Sequence, residues 1–238
     1  MAKNYFDLVK DCCILLNLDE PAAFSALSDP EYQKITFGLN SINRHITLME
    51  QERWTFRERS TTFSLIGGEI EYDKPDGDIL LIKLPTQTTP LVPEYRYDWL
   101  PQNITGTPNR YSIYGDKILL YPTPSTAMAG TVATVRYVTH YTAKSAAGVD
   151  KENMELETDE PMMPNQYRDV LTYGACRDWK GMPDRSKYQH FNDRYNKTLK
   201  VMRANLKRSV QFEVYKDIGQ RDGYGVGDIA GEYFEPWM

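Results

Sequence analysis

Glu69, Glu71, Asp73, Asp76 and Asp78 form the densest set of chemically capable side chains in the central part of this sequence. Side chains alternate faces along a strand, so Glu69, Glu71 and Asp73 are expected to project together. Two carboxyl groups with suitable separation and pKa values hydrolyse a glycosidic bond, and several carboxylate oxygens can hold a cation. The spacing does not match a calcium-binding loop, and a solvated strand face explains the same pattern. A glycan (peptidoglycan) hydrolase using the Glu69 to Asp78 cluster is therefore kept as the alternative reading. The leading expectation is a chain that is not an enzyme, with no catalytic residue, no metal ligand and no cofactor.

Other chemistry-bearing residues are scattered. His45, His140 and His190 fall on different expected elements and share no HExxH spacing. Cys12, Cys13 and Cys176 give no CxxC pair. Cys12 and Cys13 lie in an apolar run, which points to buried free thiols and a reducing compartment. The glycines at 219, 223, 225, 227 and 231 precede no Gly-Lys-Ser/Thr and follow no expected strand, so a phosphate-binding loop is rejected.

Two features near the C-terminus suit contact rather than catalysis. The last expected helix carries Arg194, Lys197, Lys200, Arg203, Lys207 and Arg208, with Arg185 and Lys187 before them, against only Asp184 and Asp193. Such a basic rod fits DNA phosphates or an acidic protein surface, the latter being the better match for an acidic chain. Residues 212–238 are interrupted by glycines yet end in Tyr233, Phe234, Pro236 and Trp237. An extended arm with an aromatic end is costly to leave in water and is expected to dock on another chain.

The elements that must position these residues follow from periodicity. Tyr5, Leu8, Cys12, Leu15 and Leu16 predict a helix over 4–17, and Ile35, Leu39, Ile42, Ile46 and Met49 a second from Pro30 to about Glu52. Asp29-Pro30 is its start signal. Arg44 and His45 fall off its stripe. The stretch 53–141 reads as strands. Residues 61–66 are followed by a hairpin turn or bulge at Gly67-Gly68 and a return strand, EIEY. Ile79 to Leu84 reads as a strand buried on both faces. A long loop over 85–108 is expected to tuck Tyr95, Tyr97 and Trp99 under the sheet. A hairpin turns at Gly115-Asp116, and a period-two strand runs from Gly130 to Tyr141, with Ala133, Val135, Tyr137, Thr139 and Tyr141 on one face.

Helical sequence resumes at 167–180, with Tyr167, Val170, Leu171, Gly174 and Trp179 as packing positions. A final helix, capped by Asp184, extends to about Val210 on the stripe Tyr188, Phe191, Tyr195, Leu199, Met202 and Leu206. At ~1.5 Å per residue that last helix is about 39 Å long. The expected fold is α+β: an antiparallel helical bundle from 1–52 and 161–211, a large β-rich insertion at 53–142, an acidic connector at 143–160 and an extended C-terminal arm at 212–238.

Composition sets the outer bounds. The chain has 238 residues, 41% hydrophobic and 26% charged, enough for a real core. A net charge of -5 argues against a free-standing nucleic-acid binder. Aromatic content of 12%, with 17 Tyr and 4 Trp, favours sheets and protein interfaces. The N-terminus lacks a signal-peptide layout and no run is long and apolar enough to span a bilayer, so a soluble protein made in a cytoplasm, with no membrane partner, is expected.

The ordered set RWTFRERSTTFSLIGGEIEYDKP, ILLIKLP, YDWL, GTPNRYSIYGDKILLYPTP and MPNQYRDVLTYGACRDW resembles the head-to-tail adaptor proteins of tailed bacteriophages, also described as head-completion or tail tubular proteins. The resemblance covers most of residues 30–210. It implies a homo-oligomeric, dodecameric ring below the portal protein, at the head-tail junction of the virion. The ring would extend the DNA channel, touch passing genomic DNA transiently, and offer a docking surface to tail nozzle or tail fibre proteins. It also implies that the arm bearing Tyr233, Phe234, Pro236 and Trp237 binds the portal. An acidic subunit suits a conduit, because a basic lumen would retard DNA. No catalytic motif of the family carries over.

Overall fold

The computed structural model describes residues 3–49, 53–101, 103–179 and 185–206. The chain is a mixed α+β protein. Helix α1 (Tyr5–Leu16) opens with a reciprocal cap: the Asn4 side chain accepts from Asp7 N at 2.9 Å while Asn4 N donates to the Asp7 carboxylate at 3.1 Å. Helix α2 (Pro30–Thr47) starts at Asp29, whose side chain accepts from Glu31 N, with Pro30 in the first turn. It stops short of the expected Glu52. Its last carbonyls turn instead to side chains: Trp54 Nε1 donates to Ile46 O at 2.7 Å and Arg57 Nη1 to Thr47 O at 2.9 Å. Satisfying these orphan acceptors allows the helix to end in the interior.

Helix α3 (Asp169–Arg177) follows a single 3₁₀ turn at Asn165–Tyr167, and α4 spans Arg185–Leu206. Helix α3 packs against α1, α2 and α4. Leu8, Leu39, Ile46, Trp54, Leu171 and Met202 belong to one buried cluster. Along α4 the expected stripe holds at Phe191, Tyr195, Leu199 and Met202, all buried, whereas Tyr188 is half exposed. Asp184 and the expected end of this helix at Val210 lie outside the described residues.

Among the described residues between α2 and α3 run twelve strands in chain order: β1 (Glu58–Ser64), β2 (Glu71–Asp73), β3 (Gly77–Lys83), β4 (Val92–Pro93), β5 (Thr105–Gly106), β6 (Arg110–Tyr114), β7 (Lys117–Tyr121), β8 (Thr123–Pro124), β9 (Val132–Thr139), β10 (Ala143–Lys144), β11 (Asp150–Lys151) and β12 (Glu160–Pro161). They form sheets ordered β1-β9-β3, β2-β7-β6-β4, β11-β10-β12 and β5-β8. Leu65, Tyr72, Ile82, Ile118, Leu120 and Val135 share a second buried cluster. Strand β1 pairs antiparallel with β9, Glu58 opposite Val138, so the two ends of the stretch 58–139 lie side by side.

The hairpin at Gly115-Asp116 is present, with Gly115 at φ 60 and Tyr114 opposite Lys117. At Gly67-Gly68 the expected turn is present, with Gly68 at φ 85, but the strands on either side of it do not pair as a hairpin. Strand β1 takes the eight-residue β9 as its partner, and the three-residue β2 pairs with β7. The long ladder outcompetes a short local one. Gly67 is needed for close approach, since a Cβ there would stand 2.7 Å from Thr126 Cα.

Strand β3 is also not buried on both faces. It is an edge strand in which Ile79, Leu80 and Leu81 are half-buried and only Gly77 and Ile82 buried, with the register slipping between Ile79 and Leu81. The alternation of β9 breaks opposite that slip: Ala133 and Val135 are buried, then Val138 and Thr139 together, while Tyr137 is half-buried.

Tyr95, expected beneath the sheet, is 93% exposed. Tyr97 is tucked in, its hydroxyl donating to Leu120 O at 3.4 Å. The side chain of Trp99 lies outside the described residues. The acidic stretch 143–160 contributes β10, β11 and the first residue of β12 to a small sheet. It also touches α1 through Tyr5 N donating to Asp159 O at 2.7 Å.

Candidate functional site

The carboxylate cluster divides into two sets. Around β2, Tyr72 points inward and is buried while Glu69, Glu71 and Asp73 are exposed, the alternation expected of a strand with one wet face. These three carboxylates line an open groove of about 580 Å³ together with Thr61, Thr62 and Phe63 of β1. The rings of the lining residues Phe63 and Tyr72 stack at 4.5 Å. Lys117 Nζ lies 2.6 Å from the Asp73 carboxylate and holds its pKa below the ordinary value. A carboxyl kept ionised in this way is unsuited to donate a proton as a general acid.

Asp76 and Asp78 sit elsewhere, flanking His140. Their oxygens lie 3.7 Å from Nδ1 and 3.2 Å from Nε2 of the imidazole. Among the described residues no group of three or more His, Cys, Asp or Glu is placed to hold a metal ion. His45, His140 and His190 are all exposed and lie apart in the chain.

The cysteines are buried and free. Burial pushes the Cys12 thiol well up, with Cys176 reinforcing it, and burial raises Cys13 to about 11. Neither presents a thiolate at neutral pH, so neither is poised as a nucleophile.

Arg194, Lys197, Lys200 and Arg203 of the expected basic rod are exposed on α4, away from the buried stripe. Arg203 also reaches Met49 Sδ at 3.7 Å. Lys207, Arg208 and the arm residues Tyr233, Phe234, Pro236 and Trp237 lie outside the described residues.

The residues that sequence reasoning passed over are the buried charges that join elements. Arg57, 7% exposed, donates from Nε and Nη2 to Thr139 O at 3.0 and 2.6 Å and from Nη1 to Thr47 O. One guanidinium thus ties the end of α2 to the end of β9. Arg168, 3% exposed, donates to Met163 O at 3.2 Å, to Pro161 O at 3.3 Å, to the Glu160 carboxylate at 2.8 Å and to Lys3 O. Its neighbour Asp169 pairs with Lys3 at 2.7 Å. Asp159 is fully buried, its Oδ2 accepting from Lys151 Nζ at 2.7 Å and from Glu155 N and Leu156 N at 2.8 Å. A local window does not distinguish Arg57 or Arg168 from a solvated arginine, because Thr139 and Lys3 come from distant parts of the chain, whereas the Asp159 side chain is held by the nearby Lys151, Glu155 and Leu156.

No described helix is long and apolar enough to cross a membrane. No protein-family profile matches the chain, and no curated protein matches it either.

Proposed function

We propose that this chain is a structural virion protein, a head-to-tail adaptor that forms a homo-oligomeric, dodecameric ring under the portal of a tailed phage. The ring extends the DNA channel and presents a docking surface to tail components; the subunit is not an enzyme. In this reading residues 1–52 and 161–211 form a helical bundle body, 53–142 a β-rich insertion and 143–160 a connector. Residues 212–238 are the arm, which binds the portal through Tyr233, Phe234, Pro236 and Trp237.

The observation that carries the reading is the pairing of β1 with β9, which sets Glu58 opposite Val138. Helices from both sides of that stretch share a single buried cluster. That layout is what the resemblance implies for the ordered segments RWTFRERSTTFSLIGGEIEYDKP through MPNQYRDVLTYGACRDW. Deleting residues 212–238 is expected to leave a folded subunit that fails to assemble on portal rings, measured by co-sedimentation and electron microscopy. Normal assembly of the truncated chain would remove the docking arm from the proposal.

The alternative reading is a peptidoglycan hydrolase using the Glu69 to Asp78 carboxylates, of which Glu69, Glu71 and Asp73 line the open groove. That alternative requires measurable glycan turnover by the wild-type chain, abolished in Glu69→Gln with Glu71→Gln. Wild-type protein without turnover eliminates it.

A further inference from the structure

The acidic connector contains a loop that is firmly held yet presents a leucine to solvent. Met154 is buried in it, and Asn40 of α2 clasps the Met154 backbone, accepting from its N and donating to its O, both at 3.0 Å. The buried Asp159 carboxylate accepts from Glu155 N and Leu156 N at 2.8 Å, and Asp159 N donates back to Leu156 O at 3.0 Å. Lys151 is drawn onto Asp159 at 2.7 Å. Leu156 is nevertheless 57% exposed, and Glu152, Glu155 and Glu157 beside it are exposed as well. A fixed apolar side chain flanked by carboxylates has the layout of a small interface: an apolar centre, a charged rim and little ordering left to lose on binding.

Helix α4 carries the complementary layout. Arg194, Lys197 and Val201 recur at helical spacing with Lys200 beside them, and Val201 is 47% exposed among these three exposed cations. Asp193 is the single carboxylate of α4. Among the described residues Arg194, Lys197 and Lys200 form no ion pair. The two surfaces do not serve each other within one chain. The loop rests on the start of α1, where Tyr5 N donates to Asp159 O and Phe6 N to Glu157 O. Helix α3 packs against both α1 and α4, which do not pack extensively on each other. Duplex DNA would match the cations but leave Leu156 and its carboxylates without a counterpart.

We propose that the α4 face bearing Arg194, Lys197, Lys200 and Val201 docks on the loop 152–157 of a second copy of this chain. Leu156 meets Val201, and the carboxylates meet the cations. The contact is heterologous, one surface meeting a different surface of the next copy, the kind that closes into a ring when the rotation permits. It rests on the ring reading for taking a second copy as the partner.

The test compares the full-length wild type with two triple variants: Arg194→Glu, Lys197→Glu and Lys200→Glu on α4, and Glu152→Lys, Glu155→Lys and Glu157→Lys on the loop. Self-association is followed by sedimentation at ~50 mM salt, where surface charges are least screened, and assembly on portal rings by electron microscopy. Thermal unfolding confirms that each variant is folded. Either variant alone should associate about tenfold more weakly than wild type, since like charges then face each other. Mixed in equal amounts, the two variants are complementary again and should recover association. Leu156→Ser, which alters no charge, should weaken it by about fivefold through the lost apolar contact.

A mixture of folded variants that stays as weak as its parts overturns the proposal, as does Leu156→Ser with wild-type association. Loss of DNA retention in the α4 variant with association unchanged gives that face to nucleic acid and overturns it too. Portal rings that form normally with either triple variant sink this inference and leave the adaptor reading standing. Association rescued by mixing, in chains that never assemble on portals, does the reverse. A wild-type chain that associates in neither setting removes both.

Discussion

At the scale of single residues, this protein concentrates its energetic risk in a few buried charges. Arg57 meets backbone carbonyls from two elements and, within the groups it bonds, no carboxylate. Burial lowers its pKa, and Asp78 opposes that shift. Hydrogen bonds to charged groups contribute about 1.5–3 kcal/mol each, and a buried acceptor left unpaired costs more than one replaced in kind. Arg57→Ala is therefore expected to lower unfolding free energy by about 2–4 kcal/mol in urea titrations, and Arg57→Lys should recover little because an ammonium cannot span the fork.

Asp159 makes a pH prediction. Burial works to raise its pKa, but the Lys151 ammonium and the Leu156 and Glu155 N–H groups prevail, and the folded value lies below the ordinary 3.8. The unfolded state then binds the proton more tightly. The resulting stability is complete above ~pH 5 and is lost as pH falls below the ordinary value through the folded one. Asp159→Asn should flatten that acid limb of the stability curve while costing about 1–3 kcal/mol at neutral pH. An unchanged acid limb in the variant would show that other carboxylates dominate.

Among the helices, α3 is the central joint, packed against α1, α2 and α4. A Cβ on Gly174 would stand 2.8 Å from Ile42 Cγ2 and 3.2 Å from Tyr195 Cδ2, so α2 and α4 both close on this one position. Gly174→Ala is expected to destabilise the fold by about 1–3 kcal/mol, because overpacking forces off-rotamer side chains or a helix shift. Its thermal midpoint should fall accordingly. The Tyr-Gly-Ala run around it belongs to the resemblance noted in the sequence, and its glycine has a packing reason. The same helix is anchored at its start by Arg168 and Asp169, which reach Lys3, Glu160 and the backbone between them. Helix α3 thereby gathers the N-terminus, the acidic connector and both long helices.

For the whole molecule, the distribution of charge matters more than its total. The net charge is -5, yet α4 exposes Arg194, Lys197, Lys200 and Arg203 along about 14 Å of helix. A DNA-binding module would use that face and show steep salt dependence, each phosphate contact adding to the slope of binding against salt. The adaptor reading predicts that the isolated full-length subunit does not retard duplex DNA even at ~50 mM salt. Retention that disappears in Arg194→Glu with Lys197→Glu and Lys200→Glu would instead favour the nucleic-acid rival.

The sequence by itself determined the elements whose signals are local. Helix α1, the start of α2 at Asp29-Pro30, the hairpin at Gly115-Asp116 and the buried stripe of α4 follow from caps, turn chemistry and period, each settled within a few residues. The α+β class follows from them. Tertiary structure alone decided which strands pair, because β1 gains more from the distant β9 than from the adjacent β2, and a window around Gly67-Gly68 contains no trace of that competition. It also separated Asp76 and Asp78 from Glu69, Glu71 and Asp73, sent Tyr95 into solvent, and made Arg57, Arg168 and Asp159 interior fasteners. Apart from the side chain of Asp159, whose partners Lys151, Glu155 and Leu156 are near in sequence, these outcomes depend on atoms contributed by residues far away in the chain. The candidate site changed for the same reason: the carboxylates were legible as a cluster, but the groove they line also takes Thr61, Thr62 and Phe63 from β1, a strand of a different sheet.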